Sequence, residues 1–259
     1  MKITGNIKPV LRKLAGGIKK PFAKVANSGL NEPLVRLLVG ILGVALPIVV
    51  VVWGLGITGW PPQDSISDYY SLRTRDAFVG ILFVIGWILF AYKGYRTLDS
   101  VAGKLVCLFA MGVAFFPNTG LVWEKALHFT SATCMFLILG FFSLYLFTKN
   151  EQTEEAKLKK ILATNPYKAN KTTAPISEQK KTRNRVYIFC GSAIFACILL
   201  LAIYLVFLQD TVIANAHPML ILETLMIWFF GFAWFVKGKG LWRDKPTTKS
   251  NTEQPAVNQ

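Results

Sequence analysis

Residues 34–56 read LVRLLVGILGVALPIVVVVWGLG, an apolar run of 23 residues with one charged side chain, Arg36. At about 1.5 Å of rise per residue, a helix of this length crosses the roughly 30 Å hydrocarbon core of a bilayer. Five further apolar runs follow, at 77–95, 101–116, 126–148, 186–208 and 218–236. The third run is the shortest, and Pro117 ends it. The sequence therefore predicts an all-α protein, a six-helix transmembrane bundle.

Composition supports a membrane protein. Of the 259 residues, 53% are hydrophobic and 17% are charged, with a mean hydropathy of +0.43. This excludes an ordinary soluble domain. The four cysteines all lie within apolar runs, so neither a disulfide framework nor a paired-cysteine metal motif is expected. A cleaved signal peptide is not expected either, because the first apolar run is longer than a secretory h-region.

The distribution of lysine and arginine predicts the orientation. Eight lie in residues 1–36, three in 93–104, ten in 149–185 and five in 237–259. Six alternating spans place all four groups on one side, whereas the other side keeps only Arg73, Arg75 and Lys125. The positive-inside rule then predicts that both termini are cytoplasmic. The net charge of +15 has a membrane explanation, so nucleic-acid binding need not be invoked.

The same pattern divides the chain into five parts. Apolar residues at near-helical spacing among lysines in the first part predict a basic amphipathic segment on anionic lipid, although a basic flank that only fixes topology is as good an explanation. The parts are the N-terminal basic amphipathic segment 1–33, helices 1–4 in 34–148, a flexible cytoplasmic loop 149–185, helices 5–6 in 186–238, and a disordered tail 239–259.

With this topology, nearly all polar residues suited to chemistry gather on the extracytoplasmic side. Glu124, His128 and Ser131 share one helix face, and Glu223 lies at a depth similar to that of Ser131, so Glu223 and Ser131 are able to meet. An ionisable group inside a span is costly and usually faces a bundle interior or a water-filled cavity. The predicted polar cavity is lined by Ser65, Ser67, Tyr69, Tyr70, Arg75, Asp76, His128, Ser131 and Glu223, with Tyr69, Tyr70 and Trp123 as an aromatic rim.

Simpler explanations exist for several of these residues. Asp76 at a helix start is favoured by the helix dipole alone, and His217 before Pro218 suits a solvated membrane interface. Zinc is conceivable, with Asp76, His128, His217 and Glu223 as candidate ligands. The chain has no HExxH or HxxxH motif, and Ser65 and Ser67 do not lie in a GxSxG elbow, so the sequence assigns neither a metal site nor a catalytic triad.

Three stretches resemble a signature of uncharacterised bacterial multi-pass membrane proteins. They are SISDYY at 65–70 leading to RDAFVG at 75–80, HFTSA at 128–132, and ETLMIWFFGFAWFVKG at 223–238. The resemblance covers about a third of the chain and touches four of the six predicted spans. It implies the same architecture and the same polar cluster, in a bacterial cytoplasmic membrane, without naming a reaction.

Two further families are similar in a looser way. Asp76, His128 and Ser131 resemble part of the zinc site of alkaline ceramidases and adiponectin-type receptors, which implies a membrane hydrolase. This chain has only two histidines, so it departs from the three-histidine ligation of those enzymes. The six-span DRAM and Sfk families also resemble it, with a polar outer face and a histidine opening a middle span, and they imply a lipid-related or regulatory role.

Three functions remain open from the sequence. The first is a binding protein whose outer polar cavity takes a small ligand or a lipid headgroup. The second is a membrane-embedded lipid hydrolase, possible with or without a metal, in which His128 acts as base or ligand beside Asp76 or Glu223. The third is a transporter, which would be expected to carry deeper charges or broken helices.

Overall fold

The fold is known from a computed structural model that describes residues 32–92, 94, 97–149 and 178–238. Within these residues the chain forms helices and connecting segments, with no strand. The long helices are α1 (Glu32–Thr58), α2 (Arg75–Ala91), α3 (Thr97–Phe115), α4 (Val122–Phe141), α5 (Glu178–Ile203) and α6 (Pro218–Lys237). π-Helical turns extend α4 over Phe142–Phe147 and α5 over Tyr204–Leu208. The predicted all-α class is confirmed.

Five of the six long helices are long and apolar enough to cross a membrane, which agrees with an integral multi-pass protein. They include α3, although its sequence run is the shortest of the six. The remaining helix, α2, has 17 residues and a length of about 26 Å at helical rise. Its apolar run ends at Ala91, because Tyr92 leaves the helix with an extended backbone.

The largest boundary difference from the sequence prediction is at the start of α5. Helix α5 begins at Glu178, inside the predicted flexible loop 149–185 and before the predicted span at 186. Its first turns carry Glu, Gln, Lys and Arg, which are good helix formers, so the helix extends past the apolar run. The predictions for 1–33, for 150–177 and for 239–259 lie outside the described residues.

Each long helix packs on the next one along the chain, and α1 also packs on α6. The α1–α6 contact is among the most extensive, and it depends on close backbone approach at Gly40 and Gly231. A Cβ atom built at Gly40 would lie 2.5 Å from the Phe235 backbone nitrogen and 2.8 Å from the Gly231 oxygen. Because lipid tails are as apolar as leucine, such close packing is a main source of helix association in membranes.

One end of the helices holds an aromatic cluster that the sequence did not indicate. Trp234 is fully buried, with Tyr92, Phe142 and Phe147 packed around its ring. Lys237 is also buried, and its ammonium lies 5.4 Å from the ring centroid of Phe147. Aromatic faces attract cations, so this cluster helps to offset the cost of burying the lysine. The other end, formed by residues 59–74, 116–121 and 209–217, is called the loop end.

Candidate functional site

Glu223 fastens the loop end to α6. Its Oε2 accepts a hydrogen bond of 2.7 Å from the backbone N–H of Ile66, a residue that is only 2% exposed. The Leu220 N–H donates to the Asp64 carbonyl at 2.9 Å and adds a second link between this loop and α6. The conformation of the loop therefore depends on a buried carboxylate 157 residues away in sequence.

Hydroxyl and amide side chains stabilise the same loop internally. Ser65 and Ser67 share a hydrogen bond of 2.9 Å between their hydroxyls, and the Asp68 N–H donates to Ser65 Oγ at 3.1 Å. Asn118 donates from its amide nitrogen to Ser67 Oγ at 3.4 Å and to the Asp68 carboxylate. The buried amide oxygen of Asn118 has no hydrogen-bond partner among the described residues. This network connects the first loop to the segment that follows α3.

His128 connects α4 to the end of α3. It is 1% exposed, and its Nδ1 lies 2.7 Å from the carbonyl oxygen of Phe116. A carbonyl only accepts hydrogen bonds, so Nδ1 carries the hydrogen. The imidazole thus provides a donor for the carbonyl of Phe116, the residue that follows the end of α3.

Between the helices, beneath this loop, lies a cavity of about 60 Å³. Apolar side chains form most of its wall, among them Leu82, Ala110 and Phe136. The polar side chains of the wall are those of Ser67, His128 and Glu223, which come from three separate parts of the chain. A cavity needs about 10–15 Å³ of such space for one water molecule, so this one has room for several, or for a short apolar group.

Arg75 and Tyr70 line a second space, which is an open groove at the loop end. This groove has a volume of about 570 Å³. The guanidinium of Arg75 donates to the Tyr70 hydroxyl at 2.9 Å and lies 4.4 Å from the centroid of the Tyr70 ring. Neither residue is part of the wall of the inner cavity. The single predicted polar cavity is therefore two separate spaces.

Four other predicted positions do not line the inner cavity either. Tyr69 is fully buried and packs on Gly54, where a Cβ atom would clash with its ring. Since Tyr70 is also buried, these two tyrosines do not form an exposed aromatic rim. Ser131 packs on Gly112 of α3, and Ser65 supports the loop from within. Asp76 is exposed at the start of α2.

The partners of the polar side chains in the structure also differ from those that the sequence predicted. Glu223 bonds to Ile66 rather than to Ser131, and Glu124 accepts a hydrogen bond of 2.6 Å from the Leu121 N–H at the start of its own helix. His217 pairs with Asp64 across 2.8 Å, and that carboxylate is mostly exposed. Three large apolar side chains are exposed at the start of α4, those of Leu121, Val122 and Trp123. Trp123, which the sequence predicted as part of an aromatic rim, is 54% exposed.

The candidate zinc ligands do not fit a metal site. In the described part of the chain, no three side chains of His, Cys, Asp or Glu come together as a metal site requires. His128 contacts the Phe116 carbonyl, His217 pairs with Asp64, and Asp76 is exposed.

Sequence reasoning missed Asn118 and Asp68 as members of the site. Both lie in polar loops, but no spacing rule connects positions 50 residues apart. A weak signal exists in Pro117, which ends α3 and leaves carbonyls for other groups to satisfy.

No protein-family model, curated protein or solved structure matches this chain.

Proposed function

We propose that this chain is an integral membrane protein of six spans that binds a small ligand or a lipid headgroup in its inner cavity. One observation carries the proposal. The cavity is apolar over most of its wall, and the hydroxyl, imidazole and carboxylate of Ser67, His128 and Glu223 contribute to the same space. Ligand sites in proteins commonly combine such an apolar wall with a few polar groups that fix orientation.

The proposal places both termini in the cytoplasm and the loop end outside it, in a bacterial inner membrane. The positive-inside rule supports this orientation. With α2 as the sixth span, its 17 residues are at the lower limit for crossing a bilayer. The basic N-terminal segment would then lie beside anionic lipid at the cytoplasmic face.

Cysteine labelling tests this orientation. We expect Thr119→Cys, which is exposed at the loop end, to react with a membrane-impermeant maleimide in intact cells. Asn251→Cys should react only after the membrane is opened. Replacing the four native cysteines with alanine removes the background. Reaction of Asn251→Cys in intact cells would contradict the proposed topology.

Filling the cavity tests ligand binding. Ala110 is fully buried and forms part of the cavity wall, so the larger side chain of Ala110→Leu would occupy its space. We expect native mass spectrometry of the wild type, purified in detergent with a bacterial lipid extract, to show a bound small molecule or lipid. Ala110→Leu should lose it. Overpacking costs about 1–3 kcal/mol where no space exists, and the cavity lowers that cost.

The matched control is Ala126→Leu, the same change at an exposed position of α4. This variant should retain the bound molecule at the wild-type level. Equal retention by Ala110→Leu, with an intact fold by thermal unfolding, would mean that the cavity is not the binding site. A wild type that carries no bound molecule would contradict the proposal itself.

A lipid hydrolase is the second candidate, because His128 and Glu223 contribute to the same cavity as the Ser67 hydroxyl. A base, a carboxylate and a hydroxyl are the groups that acyl transfer uses. The test is fatty-acid release from phosphatidylglycerol vesicles by the wild type, with the metal content of each preparation measured in parallel. Activity that His128→Ala abolishes while the fold is kept would favour this candidate over simple binding.

A further inference from the structure

The open groove at the loop end concentrates positive charge. Its wall includes Arg73 and Arg75, together with the hydroxyl-bearing residues Ser71 and Thr119. No Asp or Glu belongs to the described wall of the groove, and neither arginine forms an ion pair with a described carboxylate. Arg73 and Arg75 are two of the three cations that the sequence places at this end, the third being Lys125.

The Arg75 guanidinium and the backbone beside it are held in place before any ligand binds. The Tyr70 ring and hydroxyl orient the Arg75 guanidinium, and that hydroxyl lies 3.5 Å from the Phe115 carbonyl. Thr74 donates to the Tyr69 carbonyl at 2.8 Å, and the Arg75 N–H donates to the Leu72 carbonyl at 3.0 Å. Groups that are already oriented lose less entropy when they bind a ligand.

Their chemistry matches an oxyanion. A guanidinium has five N–H donors in a planar fork, and Tyr70 takes one bond from Arg75, so most donors remain for a ligand. Arginine pairs well with phosphate because two parallel hydrogen bonds fit its oxygens. The groove also contains Phe115 and Pro117, and Phe115 is 62% exposed. Apolar surface beside two arginines suits a phosphate that is attached to an apolar body.

We propose that the groove between Arg73 and Arg75 binds a phosphate group, either free or as part of a lipid headgroup. The groove is separate from the inner cavity. Phosphate binding in the groove therefore does not depend on ligand binding in the inner cavity, and each is tested on its own. The shared chemistry is a phosphate oxyanion held by two guanidinium groups and neighbouring hydroxyls. A free phosphate would bind through the oxyanion alone, whereas a lipid would also place its apolar body beside the groove.

The test uses the full chain in detergent and measures binding in two ways. Isothermal titration with inorganic phosphate measures the free anion, and native mass spectrometry with added phosphatidylglycerol measures the lipid. We expect the Arg73→Gln and Arg75→Gln double variant to bind at least about tenfold more weakly, since each charged hydrogen bond lost is large enough for such a change. Tyr70→Phe keeps the ring, loses the hydroxyl that orients Arg75, and should show an intermediate loss.

Lys125→Gln is the matched control, because it removes a cation of the loop end that is not part of the groove. It should bind within about twofold of the wild type, since an exposed charge outside the groove is screened by salt. Binding of both probes indicates that the anion alone suffices, and binding of the lipid alone indicates that the apolar body is needed. No binding of either probe by the wild type, or an equal loss in Lys125→Gln, would overturn the proposal.

Discussion

Gly40→Ala is expected to destabilise the protein by about 3 kcal/mol or more, because it adds a methyl group where two helix backbones touch. The new Cβ would lie 2.5 Å and 2.7 Å from the Phe235 nitrogen and Cα, and 2.8 Å from the Gly231 oxygen. Backbone atoms have no rotamer to change, so α1 and α6 must move apart. Thermal unfolding in detergent, followed by tryptophan fluorescence, measures the loss.

Gly56→Ala is the matched control for this prediction. It makes the same change in the same helix, where a Cβ atom would have no neighbour within 4 Å. Alanine is a better helix former than glycine by about 1 kcal/mol, so this variant should be as stable as the wild type or slightly more stable. Gly231→Ala meets the Gly40 oxygen and the Val44 nitrogen at 2.9 Å and should resemble Gly40→Ala. Equal stability of Gly40→Ala and Gly56→Ala would contradict the close α1–α6 contact.

Glu223→Ala is expected to lower the free energy of unfolding by about 2–3 kcal/mol, since it leaves the buried Ile66 N–H without its acceptor. For a chain of this size that corresponds to a decrease in Tm of about 5–10 °C. Glu223→Gln keeps an oxygen that accepts the same bond, so less than about half of this loss should remain. Thermal unfolding of the three proteins in one detergent checks the order.

Glu124→Ala is the matched control for Glu223→Ala. Glu124 also accepts a backbone hydrogen bond, of 2.6 Å from Leu121, but this amide is exposed and water can replace the carboxylate. Its loss should cost about 1 kcal/mol or less. Protection of the 63–71 loop from proteolysis or hydrogen exchange should fall in Glu223→Ala only. A Glu223→Ala protein as stable as Glu124→Ala would show that Glu223 does not anchor the loop.

The Glu223 variants separate the stability of the protein from ligand binding in the inner cavity. Glu223 has a structural partner in Ile66 and also contributes to the cavity, so loss of binding in Glu223→Ala alone would be ambiguous. Glu223→Gln keeps an oxygen that accepts the Ile66 hydrogen bond while removing the acidic group. A Glu223→Gln protein that folds but does not bind ligand would assign the carboxylate a role beyond holding the loop.

The sequence predicted the positions of the helices better than the role of each polar residue. The run at 34–56 has one possible structure in a bilayer, because a helix satisfies its own backbone hydrogen bonds there. No comparable rule distinguishes the roles of Ser131 and His128. Ser131 packs on Gly112, whereas His128 contributes to the cavity. The two side chains share a helix face, and the difference depends on how α4 packs against α3.

The sequence alone determined the all-α class, the approximate positions of the helices and the apolar character that suits a membrane, because these depend on local composition and run length. The tertiary structure decided the contact of α1 with α6, the anchoring of Ile66 by Glu223, and the division of the predicted cavity into an inner cavity and an open groove. Each of these depends on atoms far apart in sequence that meet within a few ångströms. Such distances follow from how whole helices pack, and no local pattern encodes them.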